Sequence, residues 1–166
     1  MSPFEEALAR CENSVRAGWN EKTRRWSPHK SLEGGTDTLA YGHKLTAAEE
    51  EANAVIVGDM VVDLEVGLTE EDAVQLLRQD IEVARDRLKR KVKGFFQLPE
   101  KYQQILISIE FNTGNVSEKT WPSLLRAMRH GEDQIVRQEM ITSYRKPSGE
   151  RVRLMGRAHT IADAVL

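Results

Sequence analysis

At 166 residues, with 40% hydrophobic and 30% charged side chains, the chain is long enough to bury its own core and has an ordinary globular composition. No apolar run approaches the roughly 20 residues of a membrane-spanning helix, and Met1–Glu6 lacks the basic and then apolar order of a signal peptide, so synthesis in a cytoplasm without stable membrane insertion is expected. The single Cys11 excludes an internal disulfide and argues against a cysteine-based metal site, while a net charge of −2 with no reader motif argues against nucleic acid as a partner.

Ser2-Pro3-Phe4-Glu5 reads as a helix start, with Ser as N-cap, Pro at the first helical position and Glu closing a capping box. The spacing predicts a helix to about residue 17, ending near Gly18, with Phe4, Leu8, Cys11 and Val15 as its buried stripe. Asn20–His29, polar and basic and accompanied by Trp19 and Trp26, reads as loop. Leu32–Leu45 is the one convincing β-region: Gly34-Gly35 supplies a turn, and Thr36, Thr38 and Tyr41 favour extended backbone. Thr46 with Glu49 forms a second capping box before a short acidic helix.

Thr69 with Asp72 opens a longer helix whose stripe runs Ala73, Leu77, Ile81, Ala84, Leu88 and Val92, long enough to join two lobes. Leu98-Pro99 starts another, with Tyr102, Ile105, Leu106 and Ile109 facing inward. Asn112–Asn115 breaks the chain, Thr120-Trp121-Pro122 restarts it and Gly131 stops it. A further helix is expected over Glu132–Tyr144, a turn at Lys146–Gly149 and a last helix from about Arg157. The expected architecture is α+β, with a small N-terminal sheet and a helical remainder. Charge is uneven: Glu49–Glu82 holds eleven acidic residues against Arg78, and Arg145–Arg157 holds five basic residues against Glu150, a patch suited either to an anionic polymer or simply to solvent.

The candidate chemistry lies early. Glu12 falls at the margin of the first helix's apolar stripe, where partial desolvation suits a general acid and where an ordinary boundary glutamate also fits. Glu33 opens the glycine turn and could serve as a base, steady a cation, or be a polar turn residue. Thr38 could orient water or serve as a strand residue. His43, between a strand and a helix cap, suits a structural hydrogen bonder better than a catalyst; His29 is open. No paired ligand spacing links Glu12, Glu33, His29 and His43 into a metal site, so no metal is expected.

"DTLAYGHKLT" after a glutamate late in a first helix resembles the phage-type lysozymes of glycoside hydrolase family 24, the T-even phage lysozyme-like group, whose members read Thr-Ile-Gly-Tyr-Gly-His-x-Leu-Thr there. "LTEEDAVQLLRQDIEVARDRL" resembles the family's interlobe helix, and "FNTGNVSEKTWPSLLRAMRHGE" its Phe-Asn-x-Gly segment. The resemblance runs colinearly over nearly the whole chain. It implies one lysozyme-like domain over 1–166 with two lobes, a β-containing lobe of about 13–68 and a helical lobe formed by about 69–166 together with the first helix, 3–17.

It implies a muramidase that cleaves the β-1,4 bond between N-acetylmuramic acid and N-acetylglucosamine in peptidoglycan, with no cofactor. Glu12 is then the general acid and Thr38 places the attacking water. His43 is structural, and Tyr41, Asn112, Gly34 and Gly35 border the sugar. The glycine turn and sheet would wall a sugar cleft floored by the Glu12 helix. Trp19 and Trp26 could stack on sugars, although anchoring of the loop is the preferred reading.

The second acidic position departs from the family. Glu12 and Thr38 lie far apart, with Asn20–Lys30 as an insertion, and counting back from Thr38 puts Leu32 where the family has Asp or Cys. Glu33, one residue later, is the favoured second carboxylate over Asp37, which should face the other side of a strand, and over His29. Carboxyl groups about 6.5–9.5 Å apart would mean inversion and about 5–5.5 Å retention. A monomer acting on glycan strands is expected, made in a host cytoplasm and released through a holin if it is an endolysin, or delivered by a tail. The alternatives are a lytic transglycosylase, which needs a single glutamate, and a non-catalytic peptidoglycan-binding protein of lysozyme fold.

Overall fold

The structure, a computed structural model, describes residues 1–30 and 37–166. It divides into two compact units, one of Met1 and residues 9–80 and the other of residues 2–8 and 81–166.

Helix α1 (Pro3–Asn13) contributes to both. It opens with the expected capping box: the Glu5 amide donates to Ser2 Oγ at 3.2 Å and the Ser2 amide to Glu5 Oε2 at 2.7 Å. The helix stops at Asn13, short of the expected end, because the Asn13 side chain takes the Ala17 amide and the backbone turns through Arg16 at φ 53° and Gly18 at φ 88°. Val15 therefore leaves the stripe and is 70% exposed, while Phe4 and Leu8 are buried.

In the first unit the expected loop around Asn20 is a hairpin, β1 (Trp19–Asn20) and β2 (Arg25–Trp26), in register Trp19 to Trp26. Asn20 Oδ1 accepts the Lys22 and Thr23 amides to form its turn. Trp26 is wholly buried, and its backbone exchanges hydrogen bonds with Leu68 at 2.8 and 3.0 Å. Next come β3 (His29–Lys30), β4 (Asp37–Leu39) and β5 (His43–Lys44), an antiparallel sheet in that order. Helix α2 (Ala47–Ala52) carries the complete Thr46–Glu49 capping box.

A second hairpin, β6 (Ala54–Val57) and β7 (Met60–Asp63), follows α2. Val55 and Val57 point inward and Ile56 outward. The Gln79 side chain accepts the Gly58 amide at 2.5 Å and donates to the Ile56 carbonyl at 3.1 Å, which fastens the hairpin to helix α3 (Glu70–Lys91). All six residues of the expected stripe are buried, five on α3 and Val92 one position past its end.

The second unit is built around α4 (Glu100–Thr113), which buries Tyr102, Gln103 and Ile105 to Glu110. Burial of both apolar and polar side chains over Ile105–Glu110 puts this helix in the core of the unit, and each buried Ile or Leu contributes about 1.5–3 kcal/mol. It packs on α7 (Met155–Val165); α6 (Asp133–Glu139) packs on α5 (Pro122–Arg129) and on α7. The buried Glu110 carboxylate takes Lys91 Nζ at 2.5 Å and the Val116 amide at 3.1 Å. The helix expected over Glu132–Tyr144 ends at Glu139, and Ser143–Arg145 is instead strand β8, paired with β9 (Arg151–Arg153) across the Lys146–Gly149 turn. The last helix starts at Met155 rather than near Arg157. No helix among the described residues is long and apolar enough to cross a membrane.

Candidate active site

Glu12 sits on the last turn of α1, half-buried, with Oε1 withdrawn from solvent. Its side chain lies against the backbone of Gly42, in the turn between β4 and β5. A Cβ added at Gly42 would stand 2.9 Å from Glu12 Oε2 and 3.1 Å from its Cβ and Cγ, and Gly42 holds φ 88°. Both the close approach and the left-handed backbone call for glycine. The same hairpin carries Thr38, Tyr41 and His43, so the structure brings Glu12 to the segment that holds these three candidates.

Asn13, not singled out by its sequence, makes that register. Its Nδ2 donates to the Ala40 carbonyl at 2.8 Å and to the Ala17 carbonyl at 2.9 Å, and its Oδ1 accepts the Ala17 amide at 2.8 Å. The residue next to Glu12 thus ties the helix end to the β4–β5 turn. Ala40 itself lies at φ 50° where the resembled motif has glycine, an unusual backbone for a residue with a Cβ.

Tyr41, expected to border the sugar, is buried, and its hydroxyl donates to Glu70. Trp26 Nε1 donates to the same carboxylate at 2.8 Å and Arg16 Nη2 at 3.1 Å. Arg16 also lies over both tryptophan rings, 4.6 Å from Trp19 and 4.7 Å from Trp26. Burial, then the Glu70 hydrogen bond, push the Tyr41 phenol up to about 12. Burial alone would raise the Glu70 carboxyl; the bonds from Tyr41 and Trp26 and the Arg16 charge outweigh it and hold it below its ordinary value. Tyr41 and Trp26 thus share the Glu70 carboxylate, and both are buried.

His43 lies between two carboxylates. Its Nδ1 lies 2.9 Å from Asp80 Oδ2 and its Nε2 3.2 Å from Glu49 Oε2. Burial opposes the charged ring, but bonds and charge from Asp80 and then Glu49 raise its pKa above the ordinary value.

Thr38 is buried in β4, directly opposite His29 on one side and Lys44 on the other. Burial lowers the His29 pKa, outweighing the Ser27 backbone and the Asp37 charge. Asp37 pairs with Lys30, Nζ to Oδ1 2.6 Å. Asn112 lies in the last turn of α4, in the second unit, partly exposed. Leu32, Glu33, Gly34 and Gly35 lie outside the described residues. Among the described residues no three His, Cys, Asp or Glu side chains converge as a metal site.

With a carboxylate seated on the turn of a small sheet in an α+β chain, the comparison with known families is decisive: residues 21–159 match the phage lysozyme model. The chain belongs to the phage lysozyme family. The architecture is accordingly lysozyme-like, and the family is one of hydrolases that degrade the bacterial cell wall. Thr38, Gly42 and His43 fall inside the matched range and Glu12 just before it. No curated protein matches the sequence significantly.

Proposed function

We propose that the protein is a muramidase that hydrolyses the β-1,4 bond between N-acetylmuramic acid and N-acetylglucosamine in peptidoglycan. The observation that carries this reading is the packing of Glu12, which precedes the phage lysozyme match, on Gly42 within that match, in the hairpin of Thr38. Glu12 acts as general acid, giving its proton to the leaving glycosidic oxygen. Its buried Oε1 and the apolar helix face beside it suit a donor shielded from water. Thr38 directs the attacking water through its hydroxyl. Glu33 is the second carboxylate and supports the positive charge that develops on the sugar. Gly34, Gly35 and Asn112 contact the sugar. The protein works as a monomer, reaching the wall through a holin pore or from a tail.

The test is digestion of purified sacculi by the wild type and by Glu12→Gln and Glu33→Gln variants, with products identified by mass spectrometry. Reducing N-acetylmuramic acid ends are expected, with turnover lowered by about 10²–10⁴ in Glu12→Gln, the range typical of a lost general acid. Loss in Glu12→Gln alone would move the second role to another residue. Anhydro-ended products would replace hydrolysis by transglycosylation, a reaction that needs no second carboxylate and would suit a leucine at position 32. Binding without any product would overturn the enzymatic reading.

A further inference from the structure

The β8–β9 hairpin of the second unit has a face that folding does not explain. Its register pairs Ser143 with Arg153, Tyr144 with Val152 and Arg145 with Arg151. Side chains alternate along a strand and directly paired residues share a face. Arg145, Arg151 and Arg153 therefore project together with Ser143, and Tyr144 and Val152 take the other side. Like charges directly opposite each other destabilise a strand pair, so the Arg145–Arg151 pairing works against the hairpin that presents it.

All three arginines are exposed. Their hydrogen bonds go to neutral acceptors: Arg145 Nη1 to the Gly149 carbonyl at 3.2 Å and Arg151 Nε to Ser143 Oγ at 2.8 Å. The hairpin's own carboxylate, Glu150, is taken by Lys146 at 3.3 Å. Among the described residues no ion pair joins Arg145, Arg151 or Arg153 to a carboxylate. The wider charge is consistent. The second unit has sixteen Lys and Arg against twelve Asp and Glu, and the first has eight against fourteen.

We propose that this arginine face docks the carboxylates of peptidoglycan stem peptides, holding the polymer while its glycan is cleaved elsewhere on the chain. The proposal rests on the peptidoglycan reading above. Guanidinium groups match carboxylates as planar two-pronged donors, and three of them on one face of a hairpin meet a polymer that repeats its carboxylates at every peptide. Each contact is weak at the surface, and several engaged at once give the affinity. Stem peptides fit better than a long polyphosphate such as DNA, which the acidic first unit repels.

The experiment is co-sedimentation of the full chain, carrying Glu12→Gln to prevent cleavage, with insoluble sacculi whose carboxylates are either intact or amidated, across a range of NaCl concentrations. The triple variant Arg145→Ser, Arg151→Ser, Arg153→Ser is expected to bind intact sacculi roughly ten- to a hundredfold more weakly. Amidation should bring the parent down to the level of the triple variant and leave the variant unchanged. A charge-matched control, Arg87→Ser with Arg90→Ser and Arg126→Ser, all three exposed in the same unit, should bind like the parent. Thermal unfolding checks the fold of each; if the triple variant fails to fold, Arg153→Gln alone should still bind several-fold more weakly.

Equal binding by the folded triple variant, binding indifferent to amidation, or equal weakening in the control would overturn the proposal. Preference for wall-linked polyphosphate or for DNA over sacculi would overturn it as well. The two readings fail separately: arginine-dependent binding by a wild type that never cleaves sacculi removes the muramidase and keeps the docking face. Cleavage with arginine-independent binding does the reverse.

Discussion

Replacing Gly42 by alanine puts a methyl group where the Glu12 side chain lies. The new Cβ would meet Oε2 at 2.9 Å and both Cβ and Cγ at 3.1 Å. Since real Cβ atoms essentially never approach below 3.0 Å, Glu12 must shift by a few tenths of an ångström or more. The backbone at φ 88° adds about 1–2 kcal/mol of strain, offset by about 0.4–1 kcal/mol because alanine restricts the unfolded chain. With the contact included, the net loss should be about 1–2 kcal/mol, a fall in Tm of roughly 2–8 °C.

Activity should fall much further than stability. Misplacing a catalytic group by about 1 Å lowers turnover by roughly 10²-fold, so solubilisation of sacculi well below Tm should drop by one to two orders of magnitude with KM little changed. Ala40→Gly, two residues away, is the companion. It relieves a similar backbone strain at φ 50°, but it frees the unfolded chain and removes a buried methyl worth about 0.8 kcal/mol, so stability should change by less than about 1 kcal/mol. A Gly42→Ala variant with wild-type turnover would refute the claim that Gly42 seats the proposed general acid.

Asn13→Ala leaves the Ala40 and Ala17 carbonyls and the Ala17 amide without their partner, and should lower stability by about 2–3 kcal/mol in denaturant unfolding. Turnover should fall with it even where the variant is fully folded. The raised His43 pKa stabilises the fold in full below its ordinary 6.5, with that contribution lost as pH rises through the higher folded value. Glu49, held below 4.5 by the Thr46 cap and then His43 against the opposing effect of burial, contributes above 4.5 and loses it as pH falls. The stability gap between wild type and His43→Gln should therefore be widest between pH 4.5 and 6.5, and a gap independent of pH would refute the charged pairing. Glu110→Gln removes the charge facing Lys91 from a buried site, and chemical unfolding should show a loss of about 2 kcal/mol, limited because Lys91 can turn partly to water.

Features set by neighbours in sequence were legible. Each capping box is closed by residues three apart, and the α3 stripe follows from one helical period. The hairpins are a different matter. β1 and β2 have two residues each, too few for alternation to register, and Trp26 is held by Leu68 and Glu70, distant in sequence. The β6–β7 hairpin did leave a signal, β-branched runs around Gly58-Asp59. In the final hairpin the turn was readable but its two strands were not. At the site, Glu12 and Thr38 came from colinear resemblance, whereas Asn13 acts through Ala40, twenty-seven residues away, a distance no local pattern reports.

The division of α1 has a consequence for how the protein is born. Residues 2–8 belong with residues 81–166, and Phe4 and Leu8 are buried. A ribosome delivers those side chains well before residues 81–166, so the unit that shelters them is complete only after α7 has emerged. Residues 9–80 form a contiguous piece that can close early, whereas the leading turns of α1 wait with their apolar face uncovered. Joining residue 8 to partners beyond residue 80 closes a long loop, a slow step in which the waiting segment is open to proteases and chaperones.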